Sequence, residues 1–191
     1  MTDQLDTIAR ELQEATAHAH EIGQRLSGAD LVKRPGPKRW SPAECIEYLN
    51  LTARAYLPLI EPGIRELRER KQFSSSPYRM ERKARFLAWL LEPPVHFRMP
   101  TSAPFQPVNL PDPARVIPDF AGLQDKLLEQ LRLAGGLALD QYQIASPFAK
   151  NVRYNLYSAF VLIAVHERRH LWQANQAVAA RDVGERPSAM A

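Results

Sequence analysis

Residues 164 to 174 read AVHERRHLWQA, and His166 and His170 are two of only five histidines in a chain of 191 residues. At a spacing of four on a helix, two imidazoles project from one face and can converge on a single cation. Counting by three and four through this segment gives Val152, Leu156, Ala159, Ile163, His166, His170, Gln173, Ala177 and Ala180. The stripe is apolar except at three consecutive positions. Burying an imidazole without partners costs roughly 1–3 kcal/mol, so two of them followed by Gln173 imply a shared polar feature in the protein interior. It is a metal or catalytic site, a pair of histidines hydrogen-bonded to neighbouring helices, or a seam that opens into a wet cleft. The residues alone leave these three open.

The same letters spell HExxH, in which a zinc protease uses the glutamate as general base. Such a protease needs a third ligand further on, and where one common continuation has glycine and histidine this chain has Gln173 and Gln176. No strand pattern is present to shape a protease cleft. The protease reading is therefore rejected, and Glu167 is expected at solvent or paired with an arginine, with Arg168 outward or at the rim.

The elements that must position these side chains are helical. Leu5, Ile8, Leu12, Ala15, Ala19, Ile22 and Leu26 form one unbroken stripe, which leaves His18 and His20 at surface or boundary positions. WSPAE opens a second helix to about residue 71, with Ser41 as cap, Pro42 in the first turn and Glu44 closing a capping box. Its inward residues are Ile46, Leu49, Ala53, Tyr56 and Ile60, and Pro58 and Pro62 should bend it. After a short helix at 83–91, eight of the sixteen prolines fall between Pro93 and Pro118. That density favours extended chain, and Val95, Phe97, Met99, Phe105 and Val108 predict a crossover strapped along the helices. A third helix carrying Phe120, Leu123, Leu127 and Leu131 ends near Ala134, and the last runs from about 152 to 180. The spacing predicts an all-α, up-down four-helix bundle over residues 1–180, a flexible tail at 181–191, and no sheet.

Composition excludes several classes. No apolar run is long enough to span a bilayer, and the single Cys45 excludes an internal disulfide and suits a reducing compartment. The start of the chain has no signal-peptide core, so a cytoplasmic protein is expected. Eight basic residues between Arg65 and Arg85 face only Glu66, Glu69 and Glu81. Without an aromatic stacking platform they read as solvated helix ends rather than a nucleic-acid surface. The apolar excess at Leu59, Leu67, Phe86, Trp89 and Trp172 suggests a homodimer.

WSPAECIEYLNLTARAYL (40–57) together with AVHERRHLWQA resembles the DinB/YfiT-like superfamily of four-helix-bundle proteins, over about residues 5 to 178. The resemblance implies a divalent metal, zinc or nickel, held by one histidine of the second helix and two of the last. It also implies hydrolase or low-molecular-weight-thiol transferase activity on a small-molecule substrate or thiol. His166 and His170 match the two last-helix ligands. The second-helix ligand belongs at the end of WSxxExxxH, and here that position is Tyr48. A neutral phenol is a poor zinc ligand, so Tyr48 becomes a weak ligand or proton donor. Glu44, His96 and Cys45 are substitute ligands to consider, although capping suits Glu44 better and a small buried hydrophobe suits Cys45 better. Two functions follow: a metal-dependent enzyme with a degenerate site and sub-stoichiometric metal, or a metal-free small-molecule binding protein in which Tyr48 hydrogen-bonds an imidazole.

Overall fold

The computed structural model describes residues 3–74, 77–94, 101, 103–107, 110, 112–149 and 151–184. In chain order the elements are α1 (Asp3–Arg25), the short α2 (Gly28–Val32), α3 (Pro42–Glu69), α4 (Arg82–Leu91), a 3-10 turn (Ala103–Phe105), α5 (Pro113–Leu133), β1 (Gln143–Ala145), β2 (Arg153–Asn155) and α6 (Leu156–Gly184). The protein is mostly helical, and no helix among the described residues is long and apolar enough to cross a membrane.

Packing follows the apolar stripes. α1 buries Leu5, Ile8, Leu12, Ala15, Ala19 and Ile22, and α3 and α5 bury the residues their spacing predicts. α3 packs against α5 and α6, and α1 packs against the same two helices. The four long helices thus form a ring in which α1 and α3 lie across from each other. α4 adds a further layer over α6, so α6 is covered on more sides than a four-helix count allows. Gly63 lets the segment entering α6 press on α3, since a Cβ there would stand 2.7 Å from the Tyr142 ring and 2.9 Å from Leu156.

The start of α3 is fixed by its own residues. The Ser41 N–H donates to Glu44 Oε2 at 2.8 Å, and the Glu44 N–H donates to Ser41 Oγ at 3.2 Å. The helix then runs through Pro58 and Pro62 to Glu69.

Two expectations are corrected here. A small antiparallel sheet is present, pairing Gln143 with Asn155, Ile144 with Tyr154 and Ala145 with Arg153. Three-residue strands are too short to show an alternating signal. Because the chain is extended through Asn155, α6 begins at Leu156 rather than near 152, and the Ser158 N–H donates to Asn155 Oδ1 at 2.8 Å as a cap. Leu67 is fully buried and unavailable to a partner chain, whereas Phe86 and Trp89 are exposed. The eight basic residues from Arg65 to Arg85 are all exposed, as a solvated face requires.

Of the proline-rich crossover, the described part does lie along the bundle. Phe105 is buried, with its ring 6.4 Å from Tyr48 and 4.5 Å from Phe148. Val95, His96, Phe97, Met99 and Val108 lie outside the described residues, as do residues 185–191.

Candidate functional site

α3 and α6 bring together the three residues singled out by spacing. The Tyr48 ring centroid is 5.2 Å from that of His166 and 4.4 Å from that of His170, and the two imidazoles are 4.7 Å apart. Trp40, held just ahead of the α3 cap, completes the cluster at 5.1 Å from Tyr48 and 5.9 Å from His170. These are ring contacts, edge-on or tilted, where the metal-free alternative foresaw a hydrogen bond from the phenol to an imidazole.

The cluster opens into a cavity of about 1160 Å³, larger than most small-molecule sites. Thr101, Gln106 and Pro107 of the crossover form part of its wall, as do Ser146, Phe148 and Val152 between and beside the two strands. In the same wall Tyr56 and Tyr154 share a hydroxyl–hydroxyl hydrogen bond of 2.6 Å, and Ser146 bonds the Tyr154 hydroxyl. The crossover and the small sheet therefore make the site as much as the long helices do.

Burial keeps the cluster uncharged. It pushes the His166 pKa down to about 3, with Arg169 adding to the effect. His170 is held well below the ordinary histidine value by burial, then by His166 and Arg169, against a hydrogen bond to Gln173 that raises it. Burial also pushes the Tyr48 phenol up to about 12, partly opposed by Arg169. At neutral pH the group is two neutral imidazoles and a protonated phenol beside a guanidinium. Removing charged forms from water is the dominant cause in each case.

These residues do not fit a divalent metal centre. Zinc sites of this kind draw on at least three imidazole, thiolate or carboxylate ligands, and among the described residues no group of three His, Cys, Asp or Glu could hold a metal. Glu44 is committed elsewhere: it accepts two hydrogen bonds of 2.9 Å from Arg34 Nε, a third from Arg34 Nη2 and one from the Ser41 N–H. Burial alone would raise its carboxyl, yet Arg34 and Ser41 hold it below the ordinary value. Cys45 is fully buried in a second hydrophobic cluster with Ala43, Ile46 and Leu49, and burial pushes its thiol far up. His96 lies outside the described residues. A cation would also have to settle next to Arg169.

Glu167 requires a correction. It is buried, 3% exposed, and its Oε1 accepts from Gln124 Nε2 of α5 at 2.7 Å. Burial pushes its carboxyl up to about 8, against that hydrogen bond and the charge of Arg168. Phe160, Ala164, Glu167, Leu171, Ala174 and Val178 form a second buried stripe on α6, again at spacings of three and four. A second count along the helix finds it. Counting one stripe misses it, because a helix of a simple ring exposes its far side and α6 does not. Arg168 does sit at the rim, paired with Glu11 at 2.7 Å and Glu92 at 2.9 Å. Glu167 therefore points away from the imidazoles, which removes the base that a protease reading of HExxH requires.

Arg169, Tyr56 and Tyr154 were not foreseen as site residues. Arg169 stands three residues after His166, so the same count could have placed it. Tyr154 stands on a strand that the sequence does not announce.

A family model for the DinB superfamily matches residues 11–174. No curated protein and no solved structure matches the chain.

Proposed function

Because this chain belongs to the DinB superfamily, we propose that it works as a metal-free small-molecule binding protein, using the cavity between α3 and α6 as its pocket. The observation that carries this reading is the donor set. Tyr48 stands where the family pattern has histidine, its hydroxyl stays protonated, and Arg169 adds positive charge beside the two remaining imidazoles. A second reading, a metal-dependent hydrolase or low-molecular-weight-thiol transferase with weakly held zinc or nickel, draws on the 4.7 Å separation of His166 and His170. A further point for it is His170 Nδ1, which is buried without a hydrogen-bond partner. Elemental analysis of protein purified without a histidine tag decides between them. Metal well below one equivalent per chain is expected, and one equivalent of zinc or nickel surviving gel filtration overturns the pocket reading.

A further inference from the structure

α4 reads RKARFLAWLL, with three basic residues and no acidic one. Its inner side is committed to the bundle: Ala84 and Leu91 are buried, and Leu87 and Leu91 line the cavity. Turning the helix to hide its outer side would expose these. On that outer side Phe86 is 64% exposed and Trp89 is 68% exposed, with ring centroids 5.8 Å apart. The two rings make one apolar ridge, and Arg82, Lys83 and Arg85 stand beside it at spacings of three and four.

Helix electrostatics account for the cations at the end of α3, which meet a negative dipole end, but not for those of α4. Arg82, Lys83 and Arg85 occupy its first turn, where the positive dipole end disfavours them. The acids at its two ends are engaged, Glu81 with Gln143 and Glu92 with Arg168. Among the described residues Arg79, Arg82, Lys83 and Arg85 form no ion pair. Arg85 donates to the Met80 carbonyl at 3.3 Å, which leaves its charge uncompensated.

We infer that this face docks the protein on membranes that carry anionic phospholipids, with α4 lying on the bilayer surface. Charge complementarity selects that partner. Anionic headgroups meet the cations, whose aliphatic stems follow the ridge inward. Phe86 and Trp89 enter the boundary between headgroups and acyl chains, where aromatic rings on a basic amphipathic helix settle. A second copy of this chain, facing the same side across a twofold, would set each cation against its own copy. For a nucleic acid, Phe86 and Trp89 lean on each other and leave no gap for a base between them.

The experiment is sedimentation of the full chain with vesicles of phosphatidylcholine, alone or with about a third replaced by phosphatidylglycerol. The anionic vesicles should bind about tenfold or more tighter, and less so as salt rises from ~0.1 M to ~0.5 M. Arg82→Glu combined with Lys83→Glu should weaken that binding at least about tenfold. Phe86→Ser combined with Trp89→Ser should do the same by removing the ridge. All four positions are exposed, so the fold does not depend on them. In the unaltered chain, bromine on the acyl chains should quench tryptophan fluorescence, and Trp89→Phe should still bind yet lose most of that quenching. Equal affinity for the two vesicle types, binding to neither, binding that survives the charge reversal, or quenching unchanged in Trp89→Phe would each overturn the inference. So would displacement from the anionic vesicles by an equal phosphate concentration of single-stranded RNA. Self-association that the paired serine variant abolishes while vesicle binding persists would assign the face to a second copy and overturn it too.

Discussion

Two stripes of α6 are buried to nearly the same degree and differ in what lies beyond them. His166 and His170, each 7% exposed, face a large cavity whose walls come from α3, the crossover and the sheet. Glu167, 3% exposed and one position along from His166, faces Gln124 in a closed core. Burial suppresses charge on both stripes, yet in opposite senses: the imidazoles lose a proton and the carboxyl keeps one. The imidazole stripe borders space that a ligand can enter. On the other stripe the polar group is a structural tie between helices. A four-residue histidine spacing is therefore not a metal site by itself; what faces it across the gap decides.

The largest expected effect comes from supplying the missing imidazole. Tyr48→His puts a third neutral nitrogen within the ring cluster, and three nitrogens plus water suit zinc. Zinc affinity by calorimetry should rise by orders of magnitude over the unaltered chain, approaching one equivalent. A variant that binds no more zinc than its parent breaks the assignment of this cavity to the family's metal position.

Packing should separate the two stripes next. Leu171→Ala, on the closed stripe, removes a side chain only 2% exposed and should cost about 2–5 kcal/mol in urea unfolding. Gln176→Ala, exposed on the cavity wall, should change stability by no more than about 0.5 kcal/mol. Equal losses would mean that the cavity face is packed as tightly as the core.

The pH dependence is smaller and runs in two directions. A histidine whose folded pKa lies below its ordinary 6.5 binds fewer protons folded than unfolded, so His166 and His170 lose stability as pH falls below that value. Glu167, raised from 4.5 to about 8, binds more protons folded, so its contribution is lost as pH rises through that window. Above pH 6.5 only the Glu167 decline remains of these three, at up to about 1.4 kcal/mol per pH unit. Urea midpoints of Glu167→Gln between pH 6.5 and 8 should be flatter than those of the parent. A parent curve already flat there would show that Glu167 is ionised in the fold.

Much of the site was legible because it is written in local periods. The residues of α1, the capping box of Ser41 and Glu44, and the inward aim of His166 and His170 each follow from spacing within one helix. Tyr48 was found through the family resemblance, by its place at the end of the WSxxExxxH pattern. Glu167 was misplaced because its surroundings depend on α1, α4 and α5 together, none of which lies near it in sequence. Tyr154 and Ser146 were missed because the strands that carry or border them are three residues long. Arg169 was readable from the same count and was passed over as one of two arginines beside the histidines.

By itself, then, the sequence determined which long segments are helices and which residues turn inward. Those are consequences of backbone geometry and of burying apolar surface, which repeat every turn and need no distant partner. Only the tertiary structure decided that one polar stripe of α6 opens on a cavity and the other on a closed core, and that Arg169 is the buried cation of the cavity wall. That outcome depends on where α4, the proline-rich crossover and the short sheet come to rest against α6. Such contacts join residues far apart in the chain, and no period within one helix encodes them.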